Sequence, residues 1–85
     1  MSPKQFKEIR KSLELSQDEL AEILGVSGKM PISHYETGFR TPNLLTQALM
    51  SLLDSLPERK QAELIDLLTE HMKKIKRQQK SKSDV

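Results

Sequence analysis

Hydrophobic positions recur along most of the chain at steps of three and four, which is the period of an amphipathic α-helix. No stretch alternates like a β-strand. The pattern therefore predicts an all-α fold of five helices with short connections and no second core. The helices are predicted near residues 3–12, 17–24, 31–37, 42–55 and 58–77.

Polar residues before several of these segments are typical helix caps. Ser2 precedes Pro3, and Ser16 is followed three residues later by Glu19, which is the capping-box spacing. Thr41 before Pro42 predicts a cap for the fourth helix. A wide apolar face on that helix predicts thorough burial of six residues: Leu44, Leu45, Ala48, Leu49, Leu52 and Leu53.

The spacing between residues 17 and 36 is specific to two helices that cross steeply. Such helices need a small side chain where they touch, as at Ala21, and a turn residue tolerant of left-handed backbone, as at Gly25. We expect four residues to pack this pair against the first and fourth helices: Leu20, Leu24, Val26 and Ile32. A pair with this geometry can place its second helix in the major groove of DNA.

Composition narrows the function classes. The chain has no cysteine, which excludes disulfides, thiolate metal sites and cysteine nucleophiles. It lacks both a membrane-length apolar run and the apolar core of a signal peptide, so we expect a cytoplasmic protein. No nucleophile–base pair, metal-ligand cluster or phosphate loop is evident, so we expect neither an enzyme nor a cofactor.

Charge is unevenly distributed along the chain. Residues 73–82 contain six Lys or Arg and no acid, whereas residues 1–72 contain eight basic and eleven acidic residues. A uniformly basic surface for nucleic acid is therefore absent from the predicted fold. The basic run is either a solvated tail or a source of salt-dependent attraction to phosphate.

The segments "IRKSLELSQDELAEILGVS" and "YETG" resemble the XRE family of phage repressors and Cro proteins, which have a lambda-repressor-like helix-turn-helix fold. The resemblance covers about residues 3–54 and implies sequence-specific binding to double-stranded DNA. It implies a phosphate contact for Gln17, backbone contacts near Arg40 and Thr41, and a partly buried ion pair between Arg10 and Glu36. It also implies a set of recognition-helix contacts: Ser27, Gly28, Lys29, Met30, Ser33 and His34.

The sequence departs from the family pattern just before the recognition helix. Four residues, Gly28 to Pro31, stand between Ser27 and Ile32 where the family usually has three. Because proline favours the start of a helix, we predict that the third helix begins near Pro31 and that residues 28–30 lengthen the turn. Lys29 is then either a solvated loop residue or a phosphate contact. Met30 either touches a thymine methyl group or, as is more common for Met in a bent turn, packs into the core.

The last helix has a heptad-like apolar seam, which predicts either a homodimer or packing on the chain's own core. We favour the dimer, because little else in the chain is expected to cover the seam. Its members are Leu64, Ile65, Leu68, Met72 and Ile75. The predicted organisation is a DNA-binding domain at 1–56, a dimerisation helix at 57–77 and a disordered tail at 78–85.

Together these features predict a dimeric repressor that reads an inverted-repeat operator through the major groove. One alternative is an antitoxin or adaptor whose C-terminal helix binds a partner protein such as a toxin. A second alternative is an RNA-associated or coactivator-type protein of the same fold that binds through its basic tail.

Overall fold

The computed structural model describes the backbone of residues 1–83 and the side chains of residues 1–78. Its five helices are α1 (Pro3–Ser12), α2 (Gln17–Leu24), α3 (Lys29–Thr37), α4 (Leu44–Ser55) and α5 (Glu58–Ser83). The described backbone contains no β-strand, so the predicted all-α, five-helix fold is confirmed. None of the described helices combines the length and the apolar character needed to cross a membrane.

The starts of α1 and α2 follow from their caps. The Ser2 hydroxyl accepts a hydrogen bond from the backbone N–H of Gln5, and Ser16 and Glu19 form both bonds of a capping box. Helix α2 ends at Gly25, whose φ of 72° lies in the left-handed region that glycine adopts without strain.

The core lies where α1, α2 and α3 meet, with α4 closing one side. Ala21 is 2% exposed, which allows α2 and α3 to approach closely. The Phe6 and Tyr35 rings meet edge to face with centroids 5.6 Å apart, which joins α1 to α3. The buried core cluster consists of Phe6, Ile9, Leu20, Ala21, Ile32 and Met50.

The predicted start of the third helix is wrong. Helix α3 begins at Lys29, so Lys29 and Met30 are helical and the turn consists of residues 25–28. Pro31 is tolerated at the third helical position because the first backbone N–H groups of a helix have no partner within the helix. The extra residue is accommodated at Gly28, whose φ of 150° is rare for residues with a side chain.

The predicted cap of α4 is also wrong. Asn43, rather than Thr41, caps the helix, since its side-chain oxygen accepts a hydrogen bond from the backbone N–H of Thr46 at 2.8 Å. Asparagine is among the strongest N-capping residues, and the helix therefore begins at Leu44.

The apolar face of α4 is less buried than predicted. Leu44 and Leu45 are 83% and 77% exposed, Leu52 is 49% exposed and Ala48 is exposed, whereas Met50 and Leu53 are fully buried. At 100° per residue, Leu45 and Leu52 lie roughly 140–160° around the helix from Met50. Only the side of α4 with Met50 and Leu53 therefore faces the core.

Helix α5 continues beyond its predicted end at Arg77 and reaches Ser83. The structure describes residues 78–83 of the predicted disordered tail as helical, and residues 84–85 lie outside the described part of the chain. No glycine or proline follows Pro57, and Lys, Arg and Gln have high helix propensity, so nothing in the sequence stops the helix.

Helix α5 packs along α2. Ile65 lines the cleft between the two helices together with Leu15 and Ile23. Farther along α5, Met72 packs on the turn after α2. A Cβ atom placed on Gly25 would lie 2.7 Å from the Cε atom of Met72. Ile65 and Met72 of the predicted seam therefore pack on the chain itself, while Leu64 and Leu68 are half-buried and Ile75 is 48% exposed.

Candidate nucleic-acid interface

The N-terminal end of α3 is open to solvent. Gly28 occupies the capping position without a side-chain hydrogen bond, and the described structure shows no partner for the N–H groups of Lys29 and Met30. Lys29 is exposed and Met30 is 62% exposed, so the preference for Met30 as a core residue is wrong. Ser27, before the cap, is also exposed. This end of α3 offers backbone donors, the positive end of the helix dipole and a lysine cation, all of which favour anions.

The C-terminal end of α3 is fixed to α1 and α2 by Glu36. Arg10 Nε donates to Glu36 Oε2 at 2.5 Å and Arg10 Nη2 donates to Oε1 at 3.2 Å. The two side chains are only 12% and 4% exposed. Arg10 Nη1 also donates to the Leu15 carbonyl at 2.8 Å, which ties the loop between α1 and α2 to the same point.

Gln17 belongs to this network. Its Nε2 donates to Glu36 Oε1 at 3.1 Å, and the side chain is partly buried. One Nε2 hydrogen is used in this bond, which leaves the second one and the backbone N–H groups of the first turn of α2 to bind phosphate. The bond holds Gln17 in a single position relative to α3.

His34 and Phe39 form an aromatic pair beside the end of α3. Their ring centroids are 4.7 Å apart, and Phe39 is 74% exposed. Sequence reasoning selected His34 and missed Phe39, although an aromatic residue within the polar loop "TGFRTPN" was a usable signal. Ser33, one residue before His34, is half-buried.

Arg40 and Thr41 follow α3 and are both exposed. The Arg40 N–H donates to the His34 carbonyl at 3.2 Å, so the backbone at Arg40 is fixed against α3. Both residues also line a small cleft of about 60 Å³ against the N-terminus of α1. The structure therefore brings Gln17, His34 and Arg40 to the C-terminal half of α3, roughly 8–11 Å along the helix axis from Lys29 at its other end.

The charge of this face is mixed. Lys29 and Arg40 supply its cations, whereas Asp18 and Glu19 stand in the first turn of α2. The backbone N–H of Ser16 and then its side chain hold the pKa of Glu19 below its ordinary value, so this carboxylate remains charged. Within the described residues, no group of three or more His, Asp or Glu side chains could hold a metal ion.

Comparison with known proteins agrees with part of this picture. Residues 1–65 match the family described as the antitoxin component of a bacterial toxin–antitoxin system, MqsA. The matched segment contains α1 to α4 and the beginning of α5. No curated protein and no solved structure matches the chain significantly.

The matching family consists of antitoxins rather than phage repressors, so the predicted resemblance is supported at the coarser level of a helix-turn-helix-like antitoxin. The match includes α2, the turn at Gly25 and Gly28, and α3, which are the elements that carry the candidate interface. The chain therefore belongs to the MqsA family of antitoxin components of bacterial toxin–antitoxin systems.

Proposed function

We propose that the chain is a DNA-binding antitoxin that represses transcription by occupying an operator with α3 in the major groove. The observation that carries this proposal is the open start of α3, where Lys29 and Met30 are exposed and the helix has no side-chain cap. Such a helix end can approach phosphates and base edges without first breaking hydrogen bonds within the chain.

The remaining candidate residues divide into two roles in this assignment. Gln17 and the loop residues Arg40 and Thr41 bind the DNA backbone and fix how deeply α3 enters the groove. These backbone contacts carry no sequence information. Ser33 and His34 lie on the next turn of α3 and contact base edges or adjacent phosphates. No chemical reaction is assigned to the chain.

Met30 is the apolar member of this set. Its side chain is 62% exposed at the second position of α3, where the helix would enter the groove. Thymine presents a methyl group in the major groove, and apolar side chains read it by contact. We therefore assign Met30 to thymine recognition.

A two-fold dimer is part of the same proposal. The chain exposes large apolar side chains on α4 (Leu44, Leu45, Leu52) and on α5 (Leu67, Ile75), whose burial would stabilise a second copy. We assign the contact to the part of the α5 seam that is centred on the exposed Ile75 and includes the half-buried Leu64 and Leu68. Two copies related by a two-fold axis would place their α3 helices about 34 Å apart and read a palindrome.

Binding of a toxin protein is a second candidate function, favoured by membership of an antitoxin family and by the exposed leucines of α4. The test is co-production of the chain with the toxin of its own toxin–antitoxin pair. Restored growth and a stable complex on size-exclusion chromatography are expected. Growth arrest despite abundant folded chain would contradict this function.

Selection of bound sequences from a random pool of DNA duplexes tests the DNA-binding proposal. The expected result is enrichment of an inverted repeat whose half-sites are centred about 10 base pairs apart, one turn of DNA. A pool that remains random after repeated rounds would contradict sequence-specific binding. Enrichment of a single half-site would support DNA binding and contradict the proposed dimer.

A further inference from the structure

The basic residues of α5 emerge beside the turn that leads into α3. Met72 lies on Gly25 at that turn, as the 2.7 Å approach of its Cε to an added Cβ shows. Four cations follow Met72 within five residues, and we call them the basic end of α5: Lys73, Lys74, Lys76 and Arg77. The fold thus brings the start of this cluster close to the segment that connects the two helices of the candidate interface, and Lys73 lines the cleft between α2 and α5.

The basic end is available to a ligand. All four side chains are exposed, and the only salt bridge among residues 1–78 is the one between Arg10 and Glu36. The helix continues through Ser83, so its last eleven residues extend along roughly 16 Å of axis beyond Met72. The helical backbone therefore spaces these cations along the axis of α5 beyond Met72.

The rest of the candidate interface has too few cations for a DNA-binding surface. It contains Lys29 and Arg40, while Asp18 and Glu19 add opposing charge at the first turn of α2. Proteins that bind duplex DNA commonly neutralise several phosphates, on the order of six to ten in salt-sensitive cases. Another source of positive charge is therefore required, and the basic end of α5 is the largest one in the described structure.

We propose that the basic end of α5 is a second DNA-binding element, which contacts phosphates beside the groove that α3 occupies. It adds affinity without sequence preference, because lysine and arginine at this position meet only the DNA backbone. This inference rests on the proposed function and adds a site to it. The segment lies outside the matched residues 1–65, so the family match does not assign it.

The test compares two variants that lose the same charge. The test variant carries K73Q, K74Q, K76Q and R77Q. The control carries K4Q, K7Q, R59Q and K60Q, which removes four exposed cations from α1 and from the opposite end of α5. Circular dichroism and the melting temperature establish that both variants fold like the wild type.

Dissociation constants are measured by fluorescence anisotropy for a selected duplex and a scrambled duplex between 50 and 250 mM salt. Each lost phosphate contact makes the slope of log K against log salt shallower by about 0.9. For the test variant we expect a slope shallower by up to about 3.6, roughly tenfold or greater loss of affinity on both duplexes, and an unchanged ratio between them. The control should keep the wild-type slope to within about 1.

Three outcomes would overturn the inference. Equal slopes in the test variant and the wild type would show that the basic end makes no phosphate contacts. Equal slope changes in the test and control variants would show a net-charge effect without a site. Loss confined to the selected duplex would show that the basic end positions α3 instead of binding phosphate.

The wild-type measurements separate this inference from the proposed function. If the wild type binds both duplexes equally, the proposed sequence-specific function fails, while the slopes of the variants still decide whether the basic end binds phosphate. If the wild type binds neither duplex at low salt, both fail.

Discussion

Glu36 joins three parts of the chain through one carboxylate. It accepts hydrogen bonds from Arg10 of α1 and from Gln17 of α2, while it belongs to α3. Arg10 is in turn bonded to the carbonyl of Leu15 in the loop between α1 and α2. Gln17 is also a candidate phosphate contact. The partly buried Arg10–Glu36 pair therefore supports both the fold and the position of a DNA-binding side chain.

Glu36→Gln should lower the free energy of unfolding by about 1–3 kcal/mol, because it leaves the part-buried Arg10 guanidinium without a counter-ion. The measurement is urea unfolding followed by circular dichroism. The double variant Arg10→Met/Glu36→Met, which removes both charges, should be more stable than the single variant. A single variant as stable as the wild type would show that the pair has no structural role.

Gly28→Ala should lower the free energy of unfolding by about 1–2 kcal/mol, because an alanine side chain disfavours a φ of 150°. A Cβ atom at this position would meet nothing within 4 Å, so the cost comes from the backbone alone. Ser27→Ala, at an exposed neighbouring position, is the control. Equal thermal stability of the two variants would contradict the role given to Gly28 in the longer turn.

Gln17→Ala and His34→Ala should separate backbone binding from base recognition. Loss of the Gln17 phosphate contact weakens all duplexes alike, whereas loss of His34 changes the preference at one position of each half-site. The measurement is the affinity for a panel of single-base variants of the selected duplex. Equal losses on every sequence for both substitutions would refute this division of roles.

Among the helices, α2 has the most completely formed N-terminus, through the capping box of Ser16 and Glu19. The pKa of Glu19 is lowered by the Ser16 backbone N–H and then by the Ser16 side chain. Because the folded-state pKa is depressed, the contribution of the charged Glu19 is present above the ordinary glutamate pKa of about 4.3 and is lost as pH falls below it.

Glu19→Gln should therefore be less stable than the wild type at pH 7, and the difference should shrink as pH falls below about 4.3. Glutamine keeps a capping oxygen but removes the charge that the helix dipole favours. Thermal unfolding at pH 7 and pH 3.5 measures the difference. A stability gap that widens at pH 3.5 would contradict the assignment.

The boundaries of α1 and α2 were predictable because Ser2 and Ser16 are local signals that their own helices satisfy. The starts of α3 and α4 were not. Pro31 favours the beginning of a helix but does not choose among its first positions, and Thr41 and Asn43 are competing caps two residues apart. Both starts therefore depend on a choice between local signals at neighbouring positions.

The residues of the candidate interface were likewise predictable only in part. The pattern around Gln17, Ala21 and Gly25 identified the crossing helices, since small residues and turns leave a trace at fixed spacing. It could not show that Met30 faces solvent, because exposure depends on where the helix begins. Nor could it show that Phe39 lies against His34, which depends on how the loop after Gly38 folds back.

At the scale of the whole molecule, exposed apolar residues on α4 and α5 favour association. Ile75→Asp should weaken the proposed dimer at least about tenfold, because a hydrated carboxylate would lose its water at the apolar contact. Ile75 is 48% exposed, so the monomer should fold normally. Sedimentation equilibrium measures the change.

Leu45→Asp is the matched substitution on α4, where Leu45 is 77% exposed. It should leave the dimer intact if α5 forms the interface. Dissociation caused by Leu45→Asp alone would place the interface on α4. A wild type that remains monomeric at all concentrations would contradict the proposed dimer.

We propose that this antitoxin-family chain reads a specific DNA sequence through the open start of α3. The most direct test is the ratio of dissociation constants for the selected duplex and a scrambled duplex of equal length, measured at 150 mM salt. The expected ratio is on the order of a thousand or more in favour of the selected duplex. A ratio close to one would contradict sequence-specific recognition by α3.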